Sequence, residues 1–463
     1  IDLILNAQVM PVQKAFDAGI IDRVVPKDQD LLNEAKTFLM GVIEGTEVLN
    51  RPVHDFSNID DVIAEIRQKH LKKNKGRLLP APKAILTVIR EGLKGSLSEG
   101  LELEKRHFPE VAMSPEFKGL SHTFFMRGMT GNPQKLMRPG FTPKDIRKIA
   151  ILGYGSMGRG LVINCLKQMQ VPIVVKDNPE ALEAGNKFVL KTLNGMYEKK
   201  RLKMAPDELM KLVTVTSDFD SNFVDVDLTI EAIIENLDAK IELFDGLCKV
   251  VKNDCLLATN TSGLSVNELA RYVSNPERFG GLHYFSPVWM MELVEIVRGE
   301  KTSQDTIDNF INFAGSMKKR PLICNDNPGF VVNAMLAPFG GSGLKYAEEG
   351  NPIEKVEKAF IDFGFPVPPL KLMDLVGIDI VHFINVNRGT PKKTLANLYN
   401  AGFHGLAKSG KGIYQADGSL NPEAVALFDK QDPPIIRTEE EMVNDLLLQQ
   451  ITIAKDLLDR KIV

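Results

Sequence analysis

The sequence predicts an α/β region in the middle of the chain, with helical regions on both sides. From Lys148 to about Cys324, short apolar runs alternate with helical patterns, which is typical of a mostly parallel, buried sheet. After Asn327-Pro328-Gly329 the pattern is almost entirely helical up to Val463. The residues before the α/β region are also mostly helical in pattern. We therefore expect four segments, at residues 1–30, 31–145, 146–327 and 328–463.

The N-terminal part predicts a helix at residues 11–18 and a short strand at residues 20–25, ended by Pro26. Further along, residues 67–77 are strongly basic. This segment carries no interleaved aromatic residues, and the chain as a whole is acidic. We therefore interpret it as a solvated helix end entering a loop, rather than as a contact for RNA or a nucleotide phosphate.

Helical patterns continue up to a segment rich in proline and glycine. After the prolines at 80 and 82, residues 83–104 predict one long helix, and residues 114–127 predict another. Residues 128–143 then contain three glycines and three prolines. Such a composition predicts a linker that leads to a new domain.

A glycine-rich turn opens the α/β region. Residues 147–160 read R-K-I-A-I-L-G-Y-G-S-M-G-R-G, which predicts a strand, a turn with three glycines and the start of a helix. In a Rossmann-type dinucleotide-binding fold, such glycines make the tight turn, admit the pyrophosphate and let the helix pack on its strand. The predicted strand and helix on either side make this match specific. We expect the following residues to contact the cofactor: Gly153, Gly155, Ser156, Met157 and Gly158.

Strands and breaks can be placed along the rest of the chain from apolar runs and turn residues. Seven strands are predicted, at residues 149–152, 173–176, 213–216, 228–233, 256–258, 280–283 and 293–297. In the helical region that follows, breaks are predicted at residues 340–343, 366–369 and 409–412.

An aspartate follows the second predicted strand. Asp177 lies nineteen residues after Gly158, at the distance where such folds carry an acidic residue. A carboxylate there accepts hydrogen bonds from the ribose hydroxyls and repels a 2′-phosphate, which favours NAD over NADP. The alternative is an ordinary aspartate that caps the next helix; because the glycine turn precedes it, we favour the cofactor contact.

Polar clusters follow three later strands, and the carboxyl ends of parallel strands form the ligand crevice. The clusters lie at residues 231–236 with Lys240 beyond, at residues 260–263 and at residues 283–287. Ala232 in the first cluster is expected to contact the cofactor. Among the seven histidines, His283 is distinguished by its place at the end of a predicted strand in this region.

Glu295 falls within a buried apolar run, twelve residues after His283. A carboxylate on a buried strand is costly unless it is paired, and His283 is the economical partner. Such a pair would hold the imidazole in one tautomer, so that it could take a proton from a substrate hydroxyl while a hydride leaves the same carbon. The sequence thus predicts a dehydrogenase with a histidine base.

Composition and charge exclude several other classes. The net charge of -3 argues against a broadly basic nucleic-acid surface, and no apolar run approaches the length of a membrane span. The four cysteines form no C-x-x-C pair, so we expect buried, reduced thiols and no metal site. The N-terminal residues show no targeting signal, so we expect a cytoplasmic location, with an organelle matrix as the alternative if a targeting segment was removed.

Taken together, these motifs resemble the L-3-hydroxyacyl-CoA dehydrogenase family. The segments are G-Y-G-S-M-G, V-V-K-D, I-E-A-I-I-E-N, N-T-S, H-Y-F-S-P, L-V-E-I and N-P-G-F-V-V-N, in that order. The resemblance implies that His283 is the general base, that Glu295 orients it, and that Ser262 and Asn333 contact the substrate oxygen and the base. It also implies an acyl-CoA substrate and NAD contacts from Asp177, Glu235, Lys240 and Asn260.

The flanking regions resemble other parts of multifunctional fatty-acid oxidation proteins. Residues 328–463 resemble the helical C-terminal domain of the family, although residues 340–343 are expected to interrupt a helix that is continuous there. Residues 1–30 resemble the tail of an enoyl-CoA hydratase (crotonase) domain, and residues 83–127 the linker helix that follows it. Because the body of a hydratase is missing from the sequence, we expect no hydratase activity. We also expect both ends to be truncated relative to the family.

Two alternatives stay open at this point. One is a different β-hydroxyacid or nucleotide-sugar dehydrogenase on the same fold, which would rely on lysine or cysteine chemistry. The other is a scaffold fragment that binds NAD or acyl-CoA without turnover, motivated by the truncated ends and the expected break at residues 340–343. A thiolase subunit or a second copy of the chain is expected as the protein partner.

Overall fold

The computed structural model describes residues 2–6, 9–50, 55–74, 76–387 and 389–463. The chain forms two compact units, residues 1–129 and residues 130–463. No helix among the described residues is long and apolar enough to cross a membrane.

The regular elements described in the first unit are all helices, joined by turns and loops. It contains α1 (Asp2–Asn6), α2 (Val12–Asp17), α3 (Leu31–Glu44), α4 (Ile59–Lys73), α5 (Pro80–Gly92), α6 (Leu97–Ala112) and α7 (Pro115–Thr130). Ile59, Ile63 and Leu86 form its small buried core. The basic segment makes the last turns of α4 and the loop after it, as expected; Lys75 within it lies outside the described residues.

Two predictions for this unit are wrong. Residues 20–25 form no strand, because the backbone there bonds to a side chain instead of to a neighbouring strand: Asn50 Nδ2 donates to the carbonyls of Phe16 and Ile21. Residues 83–104 are not one helix either. Ser96 caps the start of α6 and forms a reciprocal capping box with Glu99, which divides the helical pattern in two.

The second unit contains the predicted α/β fold, which is confirmed. Its sheet contains β1 (Ile149–Leu152), β2 (Ile173–Lys176), β3 (Val213–Thr216), β4 (Leu228–Glu231), β5 (Leu256–Thr259), β6 (Phe279–Tyr284), β7 (Leu293–Arg298) and β8 (Arg320–Asn325). The strand order is β3-β2-β1-β4-β5-β6-β7-β8. All neighbours are parallel except β6 and β7, which are antiparallel. The seven predicted strands are therefore present, and β8 is an additional edge strand.

Helices cover both faces of this sheet, because its central strands are apolar on both sides. These helices are α8 (Ser156–Gln168), α9 (Pro179–Glu198), α10 (Pro206–Met210), α11 (Leu237–Cys248), α12 (Val266–Leu269) and α13 (Gln304–Ser316). Short 3-10 turns lie at Pro133–Leu136, Ser221–Phe223, Ala270–Tyr272 and Pro276–Arg278.

The remaining helices follow the sheet in the chain. They are α14 (Val332–Glu348), α15 (Ile353–Phe363), α16 (Pro369–Val376), α17 (Ile378–Asn387), α18 (Lys393–Asn400), α19 (Leu406–Ser409), α20 (Pro422–Val425) and α21 (Glu439–Asp459). The predicted breaks at residues 366–369 and 409–412 are present, between α15 and α16 and after α19.

The predicted break at residues 340–343 is wrong, because α14 runs through these residues without interruption. Gly343 serves packing instead. A Cβ on Gly343 would lie 2.7 Å from Pro369 Cβ, so only glycine lets α14 approach α16 this closely. By contrast, a Cβ on Gly341 would meet nothing within 4 Å. Close helix packing therefore explains Gly343, whereas nothing in the structure requires a glycine at 341.

Candidate active site

The glycine turn between β1 and α8 has two glycines that the backbone requires. Gly153 has φ +101°, and a Cβ there would lie 2.5 Å from the carbonyl oxygen of Ala232. A Cβ on Gly158 would lie 1.9 Å from the carbonyl oxygen of Gly153. Gly155 differs, because its Cβ would meet nothing within 4 Å. The space next to Gly155 is where a ligand can approach the backbone.

The start of α8 fits a phosphate group. Gly155 is the N-cap residue and has no side chain to bond the first N–H groups of the helix, so those of Ser156 and Met157 remain available. Unpaired N–H groups at a helix N-terminus favour anions, and the turn places Gly155 and Ser156 at the surface. The residues present therefore fit the pyrophosphate of a dinucleotide.

Asp177 lies beside this turn, directly after β2. Its Oδ2 accepts a hydrogen bond of 2.6 Å from the backbone N–H of Tyr154, and its Oδ1 accepts one of 2.7 Å from that of Asn178. The carboxylate thus faces the same crevice as the glycines. This placement suits the ribose hydroxyls of NAD and disfavours a 2′-phosphate.

Lys240, for which the resemblance implies an NAD contact, is almost fully buried. Its side chain is 1% exposed, and Nζ lies 2.5 Å from Glu231 Oε1 and 3.3 Å from Glu235 Oε2. Glu231 is itself fully buried, and its other oxygen accepts a bond from the Thr259 hydroxyl. Burying a cation requires such compensation. Lys240 therefore joins α11 to the end of β4.

Glu235 shapes the loop that follows β5. Its Oε1 accepts hydrogen bonds from the Thr261 hydroxyl (2.6 Å) and from the backbone N–H groups of Ser262 (2.8 Å) and Gly263 (2.9 Å). Burial alone would raise the pKa of the Glu235 carboxyl, but Lys240 and these donors outweigh it and hold the pKa below its ordinary value. The carboxylate is therefore anionic at neutral pH, and 40% of its side chain stays exposed to the crevice.

Asn260 connects the ends of β5 and β6. Its Oδ1 accepts a 2.8 Å hydrogen bond from the backbone N–H of Tyr284, the residue after His283, and its side chain is 9% exposed. This bond fixes the end of the strand that carries the histidine.

His283 and Glu295 form a direct pair, as predicted. They are opposite each other on the antiparallel strands β6 and β7, and His283 Nδ1 lies 2.6 Å from Glu295 Oε2. The imidazole is 5% exposed and lies between the rings of Phe285 and Phe330, with ring-centre distances of 4.7 and 5.4 Å. Within the described part of the chain, its Nε2 makes no hydrogen bond, and that atom is not sealed from solvent.

The second oxygen of Glu295 determines the tautomer of the imidazole. Glu295 Oε1 accepts hydrogen bonds from the backbone N–H groups of Val331 (2.9 Å) and Val332 (2.8 Å), at the start of α14. As a carboxylate, Glu295 can only accept, so its Oε2 accepts from Nδ1 of His283, which is the protonated ring nitrogen. The lone pair of the imidazole is then on Nε2, which is the atom open to a substrate.

Ser262 and Asn333 lie on opposite sides of the crevice. Asn333 is in the first turn of α14, next to the N–H groups that bind Glu295, and its Nδ2 lies 3.5 Å from the backbone oxygen of Ser262. The Ser262 side chain is exposed. The structure thus brings together the four residues for which the resemblance implies chemistry, through the Glu295 pair and through this contact.

One supporting residue was missed by the sequence reasoning. Lys319, 5% exposed, donates from Nζ to the backbone oxygens of Val288 and, at 2.7 Å, of Met291. Both carbonyls belong to the loop that leads from β6 to β7. Burial lowers the pKa of Lys319 to about 8. Its sequence signal, a lysine within a short basic stretch before a strand, is too common to have identified it.

The cysteines are not part of the site. All four are free, and burial raises the pKa of the Cys165 and Cys255 thiols to about 12. Among the described residues, no group of three His, Cys, Asp or Glu side chains could hold a metal ion.

Two segments of the chain match domains of known proteins. Residues 148–327 match the NAD-binding domain of 3-hydroxyacyl-CoA dehydrogenases, and residues 329–416 match the C-terminal domain of the same family. The "Fatty acid oxidation complex subunit alpha" of Vibrio parahaemolyticus is 34% identical over 90% of this chain and 60% of its own length. The chain spans 54–60% of the length of the first curated relatives that it matches.

Two solved structures share the fold of the second unit. The 3-hydroxybutyryl-CoA dehydrogenase of Escherichia coli is 30% identical, with a TM-score of 0.56 over 60% of this chain and 61% of its own. M. tuberculosis FadB2 is 31% identical, with a TM-score of 0.56 over 59% of this chain and 99% of its own. The matched domain identifies NAD as the cofactor that the glycine turn and Asp177 fit. The chain belongs to the 3-hydroxyacyl-CoA dehydrogenase family.

Proposed function

We propose that this chain oxidises L-3-hydroxyacyl-CoA to 3-ketoacyl-CoA with NAD in fatty-acid β-oxidation, with His283 as the general base. The observation that carries the proposal is the 2.6 Å contact between His283 Nδ1 and Glu295 Oε2, with the two backbone N–H groups on the other oxygen of Glu295. This arrangement leaves Nε2 as the proton acceptor. A 3-hydroxyacyl group has a hydroxyl proton at the carbon to be oxidised, which is the proton that such a base removes.

One set of residues is proposed to bind the cofactor and another to bind the substrate. Bound NAD supplies a hydride acceptor. The cofactor is held by residues of the glycine turn and the strand ends: Gly153, Gly155, Ser156, Met157, Gly158, Asp177, Ala232, Glu235, Lys240 and Asn260. Since Lys240 is enclosed by Glu231 and Glu235, we propose that its contact is mainly through Glu235, whose exposed part faces the crevice.

Ser262 and Asn333 are proposed to bind the substrate oxygen. Ser262 presents an exposed hydroxyl after β5, and Asn333 presents an amide from the first turn of α14. A donor at this oxygen keeps the hydroxyl proton directed at Nε2 and stabilises the carbonyl as it forms. His283 then holds the proton as an imidazolium, which Glu295 stabilises through Nδ1.

Formation of NADH by the purified chain tests this proposal. The substrates are L-3-hydroxybutyryl-CoA and L-3-hydroxyhexadecanoyl-CoA, with the D-enantiomers as a stereochemical control. We expect turnover of at least one L-substrate, a fall of roughly 10²–10⁴-fold in His283→Ala, and little change in the matched control His122→Ala, whose side chain is exposed on α7. No NADH from either L-substrate, despite NAD binding, would favour the scaffold alternative.

The structure removes one reason for that alternative. The scaffold was motivated in part by an expected break at residues 340–343, and α14 is continuous there. The crevice also carries an ordered histidine–carboxylate pair, which binding alone does not require. The dehydrogenase is therefore the function that we favour.

The names of the relatives extend the proposal to partners and place. Because the curated relatives are named alpha subunits of a fatty acid oxidation complex, we propose that this chain also binds a second subunit, with a thiolase as the first candidate and self-association as the other. We further propose a cytoplasmic location. Sedimentation of the chain alone and of the chain with a thiolase subunit tests the partner, and a monomer in both samples would refute it. Cell fractionation tests the location.

A further inference from the structure

We propose that Arg460 is a positioning residue for the His283–Glu295 pair, acting through Asn327 and the turn that follows it. The inference rests on the proposed function, because positioning matters only if this pair does the chemistry. Arg460 directly follows α21, far along the chain from both catalytic residues. Four observations link it to Glu295.

The first link is the turn that presents the two N–H groups to Glu295. Gly329 and Phe330 have φ of +74° and +49°, and Phe330 is a bulky residue for which this left-handed conformation is strained. The turn directly precedes Val331 and Val332, whose N–H groups bind Glu295 Oε1. The conformation of the turn therefore decides where these two donors point.

The second link is the side chain of Asn327, which holds the turn closed. Asn327 is 7% exposed, and its Nδ2 donates to the carbonyl oxygens of Phe330 (3.0 Å) and Pro328 (3.3 Å). The backbone N–H of Phe330 donates back to Asn327 O at 2.7 Å. These bonds keep Phe330 in its strained conformation.

The third link is the contact with Arg460, which fixes the orientation of the Asn327 amide. Arg460 Nη2 donates to Asn327 Oδ1 at 2.7 Å. A guanidinium can only donate and a carbonyl can only accept, so the amide has one orientation that satisfies all its partners. Without Arg460, the buried oxygen of Asn327 loses this donor and the amide loses its anchor.

The fourth link is the anchoring of Arg460 itself. After α21, the backbone oxygens of Lys461 and Ile462 accept hydrogen bonds from the side chain and backbone of Asn325, at 2.7 and 2.8 Å. Leu457 and Ile462 are buried in the core beneath the sheet. The backbone that carries Arg460 is therefore held at the end of β8, and the half-exposed guanidinium reaches Asn327 from there.

This support comes from outside the two domains that match the family. The matches end at residue 416, whereas α21 spans Glu439–Asp459 and packs along α14. Gln450 Nε2 also donates to the carbonyl oxygen of Met335 in α14, at 3.3 Å. The start of α14 and the turn before it are thus braced by a helix that the matched domains do not include.

Three variants of the full chain test the proposal by steady-state kinetics. Arg460→Met should lower kcat by about 3–10-fold and leave the KM values for NAD and the acyl-CoA within about twofold, since Arg460 is not among the proposed ligand contacts. Arg460→Lys should recover most of the loss. Asp456→Asn is the matched control, because it neutralises the exposed partner that lies 3.0 Å from Arg460 Nη1 and spares the contact with Asn327.

A second readout does not depend on turnover. A proton held between His283 Nδ1 and Glu295 should give a far-downfield proton resonance, assigned by its loss in Glu295→Gln. We expect Arg460→Met to shift or broaden it, and Asp456→Asn to leave it unchanged. If Arg460→Met does not fold, Asn327→Asp replaces it: this variant keeps an oxygen for Arg460, loses the donor to Phe330, and should show the same two effects.

The outcomes separate failure of this proposal from failure of the proposed function. If the parent protein forms no NADH, the proposed function is wrong, and the resonance still tests the link to Arg460. A parent-like kcat and an unchanged resonance in Arg460→Met would overturn the positioning role. Equal losses in Asp456→Asn, or a change confined to the KM values, would also overturn it, because they would indicate helix stability or ligand binding instead.

Discussion

Replacing Glu295 by glutamine is expected to lower kcat strongly by moving a proton on His283, while the site stays folded. In the parent, Glu295 accepts on both oxygens, from Nδ1 of the imidazole and from the N–H groups of Val331 and Val332. Glutamine has one oxygen, and only that oxygen can accept from the two backbone donors. Its amide NH2 must then face Nδ1, which has to become an acceptor. The proton moves to Nε2, and the base is lost.

The magnitude follows from this geometry. Loss of a positioned base lowers kcat by roughly 10²–10⁴-fold, which corresponds to about 3–5 kcal/mol of transition-state stabilisation. The folded state loses much less, because glutamine keeps a partner for each of the three bonds and exchanges charged hydrogen bonds for neutral ones. We expect about 1–2 kcal/mol in the free energy of unfolding. The fall in kcat should therefore exceed the fall in stability.

The assay is the initial rate of NADH formation, with thermal unfolding measured on the same samples. Glu300→Gln is the matched control, since it makes the same chemical change on an exposed side chain just after β7. The KM values should stay close to those of the parent. A kcat for Glu295→Gln within about tenfold of the parent would refute the tautomer argument. A fall in kcat that is fully explained by a lower Tm, through unfolded protein in the assay, would refute it as well.

The remaining predictions concern the glycine turn, Asp177 and Lys319. Gly158→Ala should destabilise the fold by about 1–3 kcal/mol, because its Cβ would lie 1.9 Å from a backbone oxygen. Gly155→Ala should keep the parental Tm, because its Cβ would meet nothing within 4 Å, but it should raise the KM for NAD. Asp177→Asn should raise the KM for NAD roughly tenfold and reduce the preference for NAD over NADP; parallel kinetics with both cofactors would show this. Lys319→Met should lower stability by about 1–3 kcal/mol, and exposed Lys318→Met by less than about 0.5 kcal/mol. Burial lowers the pKa of Lys319 to about 8, so the folded state releases this proton at a lower pH than the unfolded state does. The difference in free energy of unfolding between the parent and Lys319→Met should therefore grow as the pH rises above 8. Denaturant titrations in which this difference shrinks would contradict the argument.

The sequence predicted the central strands because parallel strands buried on both faces read as continuous apolar runs. It missed β8 for the opposite reason. This strand lies at the edge of the sheet, begins with Arg320-Pro321 and ends with exposed Asn325. Proline is tolerated at such an edge, where fewer backbone groups need a partner, but it weakens the signal of a strand in the sequence. Apolar continuity therefore identifies the interior of a sheet better than its border.

The same limit applies to the candidate site. The pairing of His283 with Glu295 could be predicted, because a buried carboxylate needs a partner and the spacing allowed neighbouring strands. The other oxygen of Glu295 could not be assigned, since its donors are backbone groups that every residue carries. Their direction depends on a left-handed turn at Gly329 and Phe330 that only the folded chain shows. Side-chain chemistry can be read from residue types, whereas backbone chemistry requires the fold.

Two residues far beyond the sheet in sequence complete its core, so this core can be completed only late in synthesis. Leu457 and Ile462 are buried in the same core as residues of β1 and β5. During translation, the nucleotide-binding region leaves the ribosome well before these two residues do. Its core lacks these two side chains until the chain has been made as far as Ile462. Nascent chains that stop earlier would leave the apolar side chains that pack against Leu457 and Ile462 uncovered, where chaperones and proteases can reach them.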